Sequence, residues 1–124
     1  MNKTIALREI IHEKINTIIN SYYRIADAKA GFPHAVYDFE SIDLGDIHRD
    51  DVILVVDLWD KGKDTSTLEE KADQIEAMFN AANFPGEEVL PTFYRISRKP
   101  IDDEDKTLMR RQLKFQIQNY YIGG

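Results

Sequence analysis

The chain has 124 residues, a formal charge of −6, 43% apolar and 31% charged residues, and no cysteine. That length supports one domain with a real core and not two, so 1–124 is read as a single domain. The acidic balance argues against bulk non-specific binding to nucleic acid or acidic membrane, and the missing cysteines exclude disulfides, thiol nucleophiles and cysteine metal sites. The opening MNKTIALREIIHEK is charged and amphipathic, with no apolar signal core, and no apolar run approaches a membrane span. Synthesis and folding in cytoplasm are expected.

Thr4 to about Asn20 reads as a helix. Leu7, Ile11, Ile15, Ile18 and Tyr22 recur at spacings of three and four, and Arg8, Glu9, Glu13 and Lys14 fall off that stripe. Thr4 and Asn2 compete as N-cap. Ser21 to Pro33 reads as a connector, with Tyr22 to Ile25 able to extend and Gly31 and Pro33 as punctuation. His34 to Asp43 reads as a strand that starts after Pro33, which has no amide proton to give. Leu44 to Asp50 is a polar hairpin loop.

Val52 to Trp59 is the one run apolar on both alternating faces. Val52, Leu54, Val56 and Leu58 share one side; Ile53, Val55 and Trp59 share the other, interrupted by Asp57. A strand apolar on both faces is covered on both. After a turn at Gly62, Ser66-x-x-Glu69 and Thr67-x-x-Glu70 are overlapping capping boxes. Leu68, Ala72, Ile75, Phe79 and Ala82 form the helix face that follows, and Asn83 to Gly86 ends it. Val89 to Ser97 is a third strand, with Pro91 implying an edge or a bulge. After the polar RKPIDDEDKT stretch, Leu108 to Ile122 alternates cleanly as the last strand. The expected fold class is α+β in the order α-β-β-α-β-β, a four-stranded antiparallel sheet with two helices packed on one face.

No catalytic constellation emerges, so no catalytic, cofactor or metal residues are assigned. His12, His34 and His48 lack the spacing that sets two ligands on one helical face; His12 reads as flanking the packing, His34 and His48 as exposed loop residues. Asp43, Asp46, Asp50 and Asp51, and the run Asp102, Asp103, Glu104 and Asp105, lack the EF-hand pattern and read as solvated loops, with charged contact to a basic partner as the functional alternative. Arg95, Arg98, Lys99, Arg110, Arg111 and Lys114 read as partners for nearby acids rather than as a basic patch. There is no nucleophile elbow and no phosphate-binding glycine loop. What stands out is an apolar patch on the uncovered sheet face, placed at Ile53, Val55, Trp59, Tyr94 and Ile96, larger than a monomer normally leaves wet.

Tyr22 to Phe39 (YYRIAD…GFPHAVYDF), Val52 to Phe79 (VILVVDLWDKGKDTSTLEEKADQIEAMF) and the closing FYRISR and RRQLKFQIQNYY strands resemble the small tail-terminator proteins of long-tailed bacteriophages and prophages, also called tail-completion or head-to-tail joining proteins. His34 stands where that family commonly has an aromatic. The resemblance implies a non-enzymatic virion protein, commonly a hexameric ring, that caps the tail tube and meets the head connector. From it follow expected partners: further copies of this chain, the tail tube protein, the connector, and DNA only in passage. Subunit contact is expected through Ile53, Val55, Asp57, Trp59, Tyr94 and Ile96. The amide-rich row Gln112, Lys114, Gln116 and Gln118 is expected to line the channel. Asp46, Asp50, Asp102, Asp103, Glu104 and Asp105 are expected in partner-contact loops. The rivals are another neck or head-completion protein, a dimeric ligand-binding regulatory α+β module, and a ferredoxin-like enzyme.

Overall fold

A computed structural model describes residues 2–45 and 48–121. The elements are α1 (Lys3–Asn16), β1 (Ser21–Tyr23), β2 (His34–Leu44), β3 (Arg49–Lys61), α2 (Ser66–Met78), β4 (Ala82–Asn83), β5 (Val89–Pro100) and β6 (Leu108–Tyr121). Among the described residues the fold is α+β with two helices, but the sheet has six strands, not four, in the order β1-β2-β3-β6-β5-β4. β2, β3, β6 and β5 are the antiparallel core expected from the alternation. The additions are short edge strands: β1 runs parallel to β2 over Ser21 to Tyr23, and β4 lies antiparallel to β5 for two residues. Segments that short carry no readable period, so their pairing is a product of tertiary context.

The helices are also shorter than their apolar stripes. Asn2 caps α1, its side chain accepting from the Ile5 N–H at 3.0 Å, so Asn2 prevails over Thr4. The helix ends at Asn16 rather than Asn20 because Asn16 turns on its own backbone. Its Nδ2 donates to the His12 carbonyl at 2.7 Å and to Ser21 Oγ at 2.7 Å, and the Thr17 hydroxyl donates to the Lys14 carbonyl. Such local bonds compete with helix continuation. Neither capping box opens α2. The N-cap is Thr65, without a side-chain bond, and Asp64 accepts from the Ser66 N–H and hydroxyl at 2.9 and 2.6 Å. Those two bonds, the hydroxyl's first, hold the Asp64 carboxyl below its ordinary pKa. α2 stops at Met78, and Ala81, at φ 50°, turns the chain into β4. Gly62, at φ 105°, takes the β3–α2 turn in a region closed to most side chains.

Both helices cover one face. Leu7, Ile11 and Ile15 of α1 and Leu68, Ala72 and Ile75 of α2 bury against Val52, Leu54, Val56 and Leu58 of β3, Leu113, Phe115 and Ile117 of β6, and Phe93 of β5. Phe79 stacks on Phe93 with centroids 4.4 Å apart and meets Phe115 edge-on at 5.2 Å. Full burial of each large side chain contributes about 1.5–3 kcal/mol, which makes this face the main source of cohesion.

Ion pairs pin the helices at its margins. Arg98 reaches Asp73 at 2.6 Å and Glu69 at 3.2 Å, and Arg111 reaches Glu69 at 2.7 Å. Arg111 thus answers its place on the apolar side of β6 by pairing with a carboxylate. At the other end, Lys3 of α1 meets Asp50 at 2.8 Å and lies 4.3 Å from the Tyr121 ring centroid.

Candidate interaction surface

The face opposite the helices is built by the alternate residues of the same strands. In register, Ile53 lies beside Gln116, Val55 beside Lys114, Asp57 beside Gln112 and Trp59 beside Arg110. On the far side of β6, Tyr94 neighbours Gln116 and Thr92 neighbours Gln118. The residues expected to make subunit contacts and those expected to line a channel therefore interleave on one surface. Pleating in this register requires it: cross-strand neighbours point the same way. Ile96 is the exception, sitting at the register break between Arg95 and Ser97.

This surface is less apolar than the β3 sequence implies. Ile53, Val55 and Trp59 are half-buried; Tyr94 and Ile96 are the exposed members, at 39% and 51%. Trp59, expected to be exposed, has the Arg110 guanidinium 4.9 Å from its ring centroid. Asp57, the charge that interrupts the row, has two donors within the chain. Arg110 Nε donates to its Oδ1 at 3.0 Å and Gln112 Nε2 at 3.2 Å. Lys114 Nζ donates to Glu40 at 2.8 Å. Long polar side chains of β6 thus shield the β3 row and neutralise its charges. Such shielding is how amphipathic side chains cover apolar surface.

The acidic set divides. Asp46 lies outside the described residues, as does Ile122, the expected end of the last strand. Asp50 is not in a solvated loop: it is a β3 residue, 2% exposed, held by Lys3 and opposite Asn119, so it offers nothing to a partner. The extended β3 reaches back to Arg49, which explains the error, because hairpin pairing with β2 draws Asp50 and Asp51 into the sheet. Asn119 Oδ1, buried in that same corner, has no hydrogen-bond partner among the described residues. Asp102, Glu104 and Asp105 are exposed and Asp103 is half-buried. Asp103 accepts from the Asp105 N–H, and Asp105 from the Thr107 hydroxyl and N–H, which holds the Asp105 carboxyl below its ordinary pKa.

His34 is the other correction. It opens β2, is buried, lies 2.9 Å from the Gly31 carbonyl through Nδ1, and packs against Phe32 and Tyr22. His12 flanks the packing as expected, near Tyr37 and within hydrogen-bond distance of Asn16. His48 is exposed and its ring lies near Tyr121. Of the six basic residues near the sheet end, Arg98, Arg110, Arg111 and Lys114 all have carboxylate partners. Among the described residues no His, Asp and Glu side chains gather in a group of three or more fit to hold a metal ion, and no helix is long and apolar enough to cross a membrane.

One feature escaped the sequence reading. A cleft of about 460 Å³ is lined by Arg8, His12, Ser21, Tyr22, Tyr23 and Tyr37. Arg8 sits 4.4 Å from the Tyr23 ring centroid. Burial pushes the Tyr37 hydroxyl above its ordinary pKa, with Arg8 working against it. The signal was the Tyr22-Tyr23 pair, which a connector does not require. No family model matches the chain, and no curated protein matches it.

Proposed function

We propose that this chain is a structural virion protein of a long-tailed bacteriophage or prophage, made in the host cytoplasm. Six copies form a ring that caps the finished tail tube and joins it to the head connector; its role is assembly and not catalysis. The observation that carries the reading is the helix-free sheet face, where the Gln112, Lys114, Gln116 and Gln118 row runs between apolar strands with its charges already paired. The family resemblance supplies the context in which such a face has work to do.

Dry subunit contact and a wet channel wall compete for that face. The internal pairing of Asp57, Arg110, Gln112 and Lys114 favours the wall. A lining that must let DNA slide should offer few free cations, because each phosphate contact adds to affinity. In this reading Ile53, Val55 and Trp59 are shielded ribs of the wall. The exposed acids Asp102, Glu104 and Asp105, with the half-buried Asp103, face the tube protein or the connector, where charge sets orientation and on-rate.

The double variant Lys114→Glu/Gln116→Glu separates the two uses. A wall predicts an intact ring with impaired DNA passage and low phage yield. A dry contact through Ile53, Val55, Asp57, Trp59, Tyr94 and Ile96 predicts a ring that fails to form. Unchanged yield would sink the wall assignment. The aromatic cleft beside Tyr37 favours a second reading, a small dimeric ligand-binding regulatory module. Native mass spectrometry distinguishes them: six copies for the ring, two for the module.

A further inference from the structure

β2 and β5 are each paired along less than half of their outer edge. β1 covers β2 at Ala35 to Tyr37 and β4 covers β5 at Thr92 and Phe93. Among the described residues no strand pairs with the outer edge of β2 from Asp38 to Leu44, or of β5 from Tyr94 to Pro100. Each free half-edge is seven residues, roughly 23 Å at the rise of a strand. Unpaired edges of that length are templates for another strand, and proteins that do not use them block them.

The two half-edges have opposite charge. Asp38, Glu40 and Asp43 are the charged residues of the first, with no base among them; Arg95, Arg98 and Lys99 are those of the second, with no acid. Part of this charge is used at home. Asp38 lies 3.8 Å from Arg24, Glu40 pairs with Lys114, and Arg98 is held by the acids of α2. Asp43, Arg95 and Lys99 are exposed. Exposed apolar residues accompany both: Leu44 at 77% on one and Ile96 at 51% on the other.

Their directions are also compatible. Each of the three pairings from β2 through β3 and β6 to β5 is antiparallel, so β5 runs opposite to β2. A second copy in the same orientation would therefore lay its β5 antiparallel to β2 of the first. Across the sheet Asp38 is level with Ser97 and Leu44 with Pro91, so laying Asp38–Leu44 along Tyr94–Pro100 end to end staggers successive copies by about three residues, roughly 10 Å at the rise of a strand. A sheet that closes on itself needs such a stagger.

Resting on the ring reading, we propose that successive copies join by strand addition, the acidic edge Asp38–Leu44 of one copy against the basic edge Tyr94–Pro100 of the next. This is a heterologous contact, in which unlike patches meet and a ring results if the rotation closes. Main-chain hydrogen bonds bind and the charges set partner and direction.

The test uses two charge-reversed chains, Asp38→Lys/Asp43→Lys and Arg95→Glu/Lys99→Glu, with circular dichroism to verify that both fold. By sedimentation, wild type is expected to self-associate and each variant alone to lose at least tenfold in association. An equimolar mixture is expected to recover it, because each reversed edge then meets its complement. Variants that associate as wild type does, or a mixture that stays dissociated, would overturn the edge contact while leaving a wild-type ring standing. A wild type that stays monomeric at every concentration would overturn self-association through these edges. Labelling of tails in virions would then decide the ring reading separately.

Discussion

β3 presents two surfaces within one strand. Val52, Leu54, Val56 and Leu58 are sealed at 1% exposure or less, while Ile53, Val55, Asp57 and Trp59, each one residue along, stay half-buried. Apart from Asp57, both rows are apolar. What differs is the cover. Two helices close one side with fitted apolar side chains; the other is shielded only by arginine, lysine and glutamine from the next strand. The first holds the molecule together, and the second leaves a surface that is neither core nor ordinary solvent face.

Truncation should expose the asymmetry. Phe115→Ala, beneath Phe79 on the helix side, is expected to cost about 3–5 kcal/mol in urea unfolding. The adjacent pair Leu54→Ala and Val55→Ala should split, with about 2–5 kcal/mol for the first and about 1 kcal/mol for the second. Equal losses would mean that the open face is packed as tightly as the core. Asp57→Ala leaves the Arg110 guanidinium beside Trp59 without its carboxylate. It should cost about 1–2 kcal/mol, measured in the same assay.

The helix-side ion pairs add a smaller, pH-dependent term. Burial works upward on Glu69, but hydrogen bonds from Arg111 and then Arg98 outweigh it and hold its carboxyl below the ordinary value. A carboxyl with a depressed folded-state pKa stabilises above its unfolded value, near 4.3, and that gain is lost as pH falls through the folded value. Glu69 is 42% exposed, so solvent screening limits the effect to less than about 1 kcal/mol. Thermal melts from pH 6 down to pH 2 should show a shallower acid slope for Glu69→Gln than for wild type. Parallel slopes would remove Glu69 from the account.

The same contrast explains what the sequence disclosed. The core row of β6 was legible because a single face buried under helices leaves strict alternation, and β3 was legible as a strand because its apolar run is too short for a helix. The pairing of Arg111 was legible too, since a cation on an apolar row must find a carboxylate. β1 and β4 were not, because three and two residues have no period. Asp50 read as loop because its burial depends on Lys3, 47 residues earlier in the chain. The neutralisation of Asp57 depends on Arg110 and Gln112, 53 and 55 residues away. Which rows share a face follows from register, and register is a property of two strands together.

The central claim is that this chain forms a ring at the head end of a phage tail. Gold labelling of an affinity-tagged chain in purified virions, viewed by electron microscopy, tests it most directly. The account predicts label at the junction of tail and head and nowhere else along the tube. Virions that carry no label would contradict it.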